Sequence, residues 1–262
     1  MSAADPAADP HRWAIEQWRA RWSAQRWDLR ARLDDEEPWS LPLVVRVEKT
    51  GPPPDHQHAM YAAALAVVRL LSDPLAAPDG PWHAPLERWM DRRIRKVVRR
   101  ARGARWTEVV GVPGVTAQVV DTEVRALVPH AVSDAPPVVG RLQVQGLDLD
   151  SDPDRALAVV PASPPARPVL SILVAPGLVM STGKACAQVG HAAQLALLEL
   201  PGDAVFEWMA AGFPLRIASA SAPQWRRIMR GELAAAVVRD AGYTEVEPGT
   251  HTCAATFADL AR

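Results

Sequence analysis

A lysine stands at the start of a long Ala-rich segment, in a chain that otherwise relies on arginine for positive charge. Lys184 is one of only three lysines, with Lys49 and Lys96, among the 29 basic residues. The first turn of a helix carries the positive end of the macrodipole, so a cation there is unfavourable by roughly 0.3–1 kcal/mol. Lysine is also the basic residue whose pKa shifts most readily with its surroundings. The placement favours a functional ammonium, and the alternative is a solvated lysine near a helix start.

Further polar residues accompany this lysine along the chain. Gln188 and His191 follow Lys184 at the i+4 and i+7 positions and therefore share its helix face. Asp240 ends the apolar run 233–238, which places its carboxylate at a strand end, where α/β proteins carry their chemistry. A turn-capping aspartate is the plain alternative for Asp240. The spacing predicts a candidate site built from one helix and one strand end.

The elements that position these residues are legible in the sequence. Residues 169–175 form a short apolar run of the length of a buried strand. Residues 176–183 hold one Pro and two Gly, which indicate a turn or a close backbone approach. Residues 184–200 are rich in Ala and Leu and free of Pro, which predicts a helix.

Two motifs resemble the signature of the type II peptidyl-tRNA hydrolases. The first consists of the residues Met180, Gly183, Lys184, Ala187, Gln188, His191 and Ala192. The second comprises Asp-Ala-Gly-x-Thr at 240–244 and Pro-Gly-x-x-Thr at 248–252, in the family's order and spacing. The resemblance covers roughly residues 168–258. It implies a three-layer α/β/α fold with a mixed, mostly four-stranded sheet.

Enzymes of that family hydrolyse the ester between a peptide and the 3′ ribose of tRNA, which recycles the tRNA and rescues ribosomes. By resemblance, Asp240 positions and activates water, and Lys184 stabilises the developing oxyanion or holds the terminal ribose and phosphate. Thr244 and Thr252 are expected to orient Asp240 or the substrate. Five further residues are expected to support the site, namely Gly183, Gln188, His191, Gly242 and Gly249.

Four cations of the family pattern are absent from this chain. Their positions hold Ala175, Val179, Thr182 and Tyr243. Phosphate contacts dominate nucleic-acid affinity, so another basic surface is needed for tRNA. Residues 86–105 contain nine basic against two acidic side chains, which fits a nucleic-acid footprint, the alternative being a solvated helix face. The candidate tRNA-binding residues are Arg92, Arg93, Lys96, Arg99 and Arg100.

The rest of the chain predicts four regions. Residues 1–40 form a Trp-rich helical arm, whose indoles are expected to pack on the body of the protein rather than to stack on bases. Residues 41–150 form an α/β domain that we interpret as a diverged copy of the catalytic module without its active-site motif, the alternative being a convergent α/β pattern. Residues 151–167 are an expected linker, and 168–262 the catalytic domain.

Within residues 41–150 the patterns predict individual elements. They indicate a strand near 41–48, a helix over 58–71 and a basic helix over 86–101. Strands are predicted over 107–120, 123–128 and 139–149.

Composition limits the remaining possibilities. The 48% hydrophobic content predicts a globular core, and the net charge of −1 does not by itself indicate nucleic-acid binding. No secretory signal or bilayer-spanning run is evident, and only two cysteines are present, so a cytoplasmic protein without membrane contact is expected. No metal or other cofactor is expected, since His56 and His58 lack companion ligands.

Three functional hypotheses remain open on the sequence. The first is peptidyl-tRNA hydrolysis, the second a tRNA- or protein-binding relative with weakened catalysis, and the third a hydrolase of a small ester or amide. The two halves are expected to pack as an internal pseudo-dimer in a monomeric chain, a homodimer being the alternative.

Overall fold

A computed structural model describes residues 9–25, 27–151 and 168–258, which form two β-sheets with helices packed against them. The α/β fold class and the four-stranded sheet of the C-terminal module are thereby confirmed. Apart from residue 151, the predicted linker over 151–167 lies outside the described residues. Across the described ranges, no helix combines the length and apolar character needed to cross a bilayer.

The N-terminal arm is helical, as predicted, and consists of α1 (Pro10–Ala24) and α2 (Trp27–Glu36). Trp18 is buried and donates its indole N–H to the carbonyl of Leu71 at 3.0 Å. Trp22 donates its indole N–H to the Glu199 carboxylate at 3.0 Å. Both indoles therefore pack on the body of the protein, in agreement with the prediction.

The N-terminal module contains a sheet covered by one long helix and several short ones. Two 3-10 turns, Pro74–Ala76 and Val132–Asp134, complete its connections. Its elements are β1 (Trp39–Arg46), α3 (His56–Leu71), α4 (His83–Met90), β2 (Lys96–Ala101), α5 (Ala104–Val110), β3 (Gly114–Val119), β4 (Thr122–Leu127), β5 (His130–Ala131) and α6 (Pro137–Gly140).

The C-terminal module contains the strand predicted over 169–175 and the helix predicted over 184–200, with ends that differ by one or two residues. Its elements are β6 (Leu170–Val174), α7 (Thr182–Glu199), α8 (Gly202–Ala210), β7 (Leu215–Ser219), α9 (Ala222–Met229), β8 (Ala236–Arg239) and β9 (His251–Thr256).

The two sheets share one topology. The strand order is β2-β1-β4-β3 in the first sheet, where β5 also pairs with β1, and β7-β6-β9-β8 in the second. In both, the first strand of the module is parallel to the strand after the long helix (β1 to β2, β6 to β7) and antiparallel to the other central strand of the path (β1 to β4, β6 to β9). The strands β2 and β8 therefore lie at sheet edges.

The long helices α3 and α7 form the layer between the two sheets. They contact each other more extensively than any other pair of elements, and α7 also contacts β2 of the other module. One continuous hydrophobic core contains residues of both modules, including Leu43 and Val67 from the first and Ile172 and Ala193 from the second. The two halves thus pack against each other within one chain.

Three predictions for the N-terminal module were wrong. The predicted helix over 86–101 ends at Met90, and its basic second part is strand β2, because Val97 and Val98 suit a ladder with the buried strand β1. The predicted strand over 107–120 begins as helix α5. The predicted strand over 139–149 contains only an isolated bridge at Gln143.

Candidate active site

The start of α7 is held by a capping serine. Ser181 is the N-cap residue, and its Oγ accepts the main-chain N–H of Lys184 at 3.2 Å. The Glu245 carboxylate accepts the N–H of Ser181 at 2.9 Å and its hydroxyl at 2.7 Å. The cap therefore ties the first turn of the helix to the loop after β8, which carries Asp240.

Lys184 and Asp240 meet across this junction. The Lys184 Nζ lies 2.7 Å from Oδ2 of Asp240, and the side chains are only 8% and 10% exposed. The ammonium also donates to Oγ1 of Thr244 at 3.3 Å. An ammonium has three hydrogens, so two are engaged by these contacts and one remains for a further acceptor.

The carboxylate of Asp240 is oriented by two more donors. Gln188 Nε2 donates to Oδ2 and the Gly242 main-chain N–H donates to Oδ1, each at 2.7 Å. Gly242 has φ +77°, and a Cβ there would lie 2.4 Å from the Pro248 side chain. Only glycine fits this turn without displacing Pro248, so the carboxylate orientation depends on it.

The backbone and a buried threonine complete the arrangement. The Gly249 N–H donates to the Asp240 carbonyl at 2.7 Å, which closes the turn. Thr252 is fully buried and donates its hydroxyl to Oε1 of Gln188. Thr252 thus reaches Asp240 through Gln188, whereas Thr244 contacts Lys184 directly.

The pair opens into a large cleft that both halves line. Its volume is about 1460 Å³. Lys184, Gln188 and Asp240 lie on one wall, while the opposite wall comes from β2 and the segment 144–148 of the N-terminal module. The sequence motifs indicate a site in the C-terminal module alone, whereas the two modules together line the cleft.

His191 lines the same cleft and contacts the other module. Its Nδ1 is 3.2 Å from the Lys96 Nζ, which also donates to Oε1 of Gln194. Burial lowers the pKa of His191 well below its ordinary value, and the charges of Lys96 and Lys184 lower it further. Burial likewise lowers the pKa of Lys96 well below its ordinary value. A neutral imidazole is favoured here, and it contacts Lys96 rather than the loop of Lys184.

The five candidate tRNA-binding residues are at most partly exposed, and each has a partner within the chain. Lys96 is buried, Arg92 bonds the carbonyl and carboxylate of Glu37, and Arg93 bonds the hydroxyl of Tyr243. Arg99 donates to the Leu142 carbonyl, and Arg100 donates to Gln143 and to the Gly146 carbonyl. That these residues contact tRNA stays a prediction.

The positions where the family cations are missing have distinct surroundings. Thr182 is buried between the halves, where its hydroxyl accepts the Leu149 N–H and contacts His56 Nδ1, each at 2.8 Å. Val179 is 89% exposed, and Ala175 is buried.

At Tyr243 the other half supplies positive charge. The Arg95 guanidinium lies 4.9 Å from the ring centroid, and Arg93 bonds the hydroxyl. Two arginines of the N-terminal module therefore lie beside Tyr243, one of the four positions where the resemblance predicts a cation.

Sequence reasoning missed several of these residues. Ser181 and Glu245 were overlooked, although a serine three residues before Lys184 is a recognisable N-cap signal. The contact between Lys96 and His191 spans the two modules and leaves no local signal. Among the described residues, no group of three or more His, Cys, Asp or Glu side chains is placed to hold a metal ion.

Comparison with known proteins gives two matches to this part of the chain. The sequence model of the family described as Peptidyl-tRNA hydrolase PTH2 matches residues 169–259. A peptidyl-tRNA hydrolase of Sulfolobus acidocaldarius is 32% identical over 98 residues, which cover 82% of that protein and 32% of this chain. The chain belongs to the PTH2 family. The PTH2 match contains the Lys184–Asp240 pair and the surrounding hydrogen bonds, and residues 1–168 lie outside it.

Proposed function

We propose that the chain is a cytoplasmic hydrolase of the ester bond of peptidyl-tRNA, releasing free tRNA and the peptide. The observation that carries the proposal is the nearly buried Lys184–Asp240 pair at the wall of a large cleft. Membership of the PTH2 family supports the choice of substrate.

In this proposal Asp240 positions the attacking water and accepts its proton. Two side-chain donors and one main-chain donor hold the carboxylate in place, so little reorganisation is needed when water is bound. Water attacks the carbonyl carbon of the ester, the bond between that carbon and the ribose O3′ breaks, and the proton taken up by Asp240 passes to O3′, so the peptide leaves as a free acid and the tRNA with a 3′ hydroxyl.

Lys184 stabilises the negative charge that develops on the carbonyl oxygen. Its third hydrogen is available for that oxygen, and the site excludes most water, which strengthens the interaction. Thr244 orients the ammonium, and Thr252 orients Asp240 through Gln188. Gly183, Gly242 and Gly249 shape the helix start and the turn that present the pair.

The tRNA backbone is held in this proposal by cations of the N-terminal module. Arg93 and Arg95 lie beside Tyr243 at the cleft, and the proposal assigns further phosphate contacts to Arg92, Arg99 and Arg100. Binding through phosphates predicts that the activity falls steeply as ionic strength rises. A small-ester hydrolase would show little salt dependence.

A cleavage assay on peptidyl-tRNA with the full chain tests the proposal. Asp240→Asn is expected to reduce kcat/KM by roughly 10³-fold and Lys184→Ala by roughly 10²–10³-fold. Glu232→Gln is a matched control, because this carboxylate pairs only with surface arginines 227 and 230 among its described ion pairs. Unchanged turnover in the first two variants would refute the roles of Lys184 and Asp240.

The four missing cations favour a second candidate, a tRNA-binding relative with weakened catalysis. Their positions are Ala175, Val179, Thr182 and Tyr243. That candidate predicts measurable binding of peptidyl-tRNA by the wild-type chain with no cleavage at high protein concentration. Cleavage that Asp240→Asn abolishes would exclude it.

A further inference from the structure

The outer edge of β2 is open where it lines the cleft. In a parallel ladder, alternate residues direct their N–H and C=O groups to the neighbouring strand. Arg95 bonds β1 through its carbonyl, and Arg100 donates its N–H outward to Gln143. Val98 and Lys96 precede Arg100 by two and four positions, so their main-chain N–H and C=O groups also point away from β1. These outward groups have no hydrogen-bond partner among the described residues.

The counterpart of this edge in the other sheet is closed by a side chain. Ile217 is the third residue of β7, as Val98 is of β2, and its outward N–H donates to the Tyr61 hydroxyl at 3.0 Å. Tyr61 is the sixth residue after the N-cap of α3. The sixth residue after the N-cap of α7 is Ala187, which has no group that could close the edge of β2.

The open edge is continuous with the candidate active site. A Cβ added at Gly183 would lie 4.0 Å from Val98 Cβ, so β2 passes beside the first turn that carries Lys184. Val237 and Val238 of the edge strand β8 line the same cleft. Successive strand residues point to opposite faces, so a cavity lined by both meets the strand at its edge.

We propose that this cleft binds the peptidyl part of the substrate as an extended strand added to the edge of β2. The inference rests on the proposed function, because the occupant is the acyl chain of the ester that Lys184 and Asp240 cleave. Main-chain hydrogen bonds would supply affinity independent of peptide sequence, as in other cases of β-strand addition. The N-terminal module then serves as a wall of the substrate site.

The chemistry of the edge favours a peptide over an RNA strand in this position. An open strand edge presents N–H and C=O groups at strand spacing and needs both acceptors and donors. A peptide backbone offers both, whereas phosphates offer acceptors only.

A substrate series on the unmodified full chain tests the inference. We compare kcat/KM for N-acetyl-aminoacyl-tRNA, for N-acetyl-tetrapeptidyl-tRNA and for the same tetrapeptide with its backbone amides N-methylated. The tetrapeptide is expected to be cleaved about tenfold more efficiently than the single residue, and N-methylation to remove this advantage, since it deletes the donors for strand pairing.

The outcomes separate this inference from the proposed function. Absence of cleavage for every substrate would refute the proposed function itself. Equal kcat/KM for all three substrates would overturn the peptide subsite and leave the hydrolase intact. A length preference unaffected by N-methylation would overturn strand addition and assign the cleft differently.

A variant adds a structural test of the same edge. Ala187→Tyr places a phenol at the position that Tyr61 occupies in the other half and is expected to bring the tetrapeptide-to-single-residue ratio of kcat/KM close to one. Tyr61→Phe is the matched control and should leave that ratio unchanged. A ratio preserved in a folded Ala187→Tyr protein, or one that falls in Tyr61→Phe, would contradict the inference.

Discussion

The two modules agree in backbone detail that the fold class alone does not require. Trp89 and Trp208 each donate an indole N–H to the carbonyl just before the parallel edge strand, of Arg95 at 2.9 Å and of Pro214 at 2.8 Å. The residue before each of these carbonyls, Ile94 or Phe213, has a positive φ, of 50° and 64°. Such a conformation is rare for bulky side chains.

The modules differ where the candidate chemistry lies. The third residue after the N-cap of the long helix is Lys184 in one and His58 in the other, and His58 Nδ1 lies 3.9 Å from Asp121. The turn after the edge strand comprises residues 120–121 in the first module and 240–250 in the second. The comparison teaches that the scaffold tolerates divergence, while the site requires the long turn that presents Asp240.

We propose on this basis that residues 41–150 are a diverged copy of the catalytic module, joined to it by the segment 151–167. The shared strand order, the two indole hydrogen bonds and the two positive φ values support a common origin over convergence. The copy lacks the turn and the lysine, so we expect it to have no activity of its own.

The largest effect is expected from matched carboxylate changes in the two modules. Asp240→Asn should reduce kcat/KM on peptidyl-tRNA by roughly 10³-fold, whereas Asp121→Asn should leave it within about twofold, because only the first carboxylate lies at the cleft. Steady-state cleavage assays measure both. A comparable loss in Asp121→Asn would show that the N-terminal module contributes chemistry.

Loss of either buried indole hydrogen bond should destabilise the fold similarly. Trp89→Phe and Trp208→Phe are each expected to lower the free energy of unfolding by about 1–3 kcal/mol, since a carbonyl loses one of its two donors and a small cavity forms. Denaturant titration gives the values. Sensitivity at one site only would weaken the proposed equivalence of the modules.

A pH effect should distinguish the two long helices at the tenth residue after the N-cap, which is His191 in α7 and Leu65 in α3. The pKa of His191 is lowered in the folded protein by burial, so the unfolded chain binds more protons below about pH 6.5. Stability should therefore fall with pH below about 6.5, by up to about 1.4 kcal/mol per pH unit from this group. Thermal melts of His191→Leu should show a flatter decline, and an identical slope would contradict the neutral imidazole.

The smallest effect concerns the arginines that the N-terminal module places at Tyr243. Arg93→Gln is expected to raise KM for peptidyl-tRNA by about three- to tenfold and to lessen its salt dependence, because one phosphate contact is lost. Arg141→Gln, on an exposed ion pair with Glu108, serves as the control. An unchanged salt dependence in Arg93→Gln would remove this residue from the tRNA surface.

Local patterns were sufficient for much of the C-terminal module. The Ala-rich run indicates α7, because helix signals depend on neighbouring residues. The order of the two family-like motifs predicts that Lys184 and Asp240 lie in one site. The prediction of a helix over 86–101 was wrong. Its arginines suit a helix, but Val97 and Val98 pair with β1. Tertiary pairing decided that segment.

Contacts between the modules could not be read from local sequence. Arg93 and Tyr243 are 150 positions apart, and Lys96 and His191 are 95 apart, so neither pair leaves a periodic signal. The open edge of β2 likewise depends on an alanine at 187, which looks like any other small helix residue. The cleft therefore emerges only when both sheets are placed together.

Burial of α7 on nearly all sides has a practical consequence for dissecting this protein. Of its residues only Gly183, His191 and Glu199 escape burial, and much of that cover comes from α3. A protein fragment that contains only the family-matched residues would expose a broad apolar surface of α7 and would tend to aggregate on expression. Failure of such a fragment to cleave substrate would report on its solubility rather than on its chemistry, so activity is best measured on the full chain.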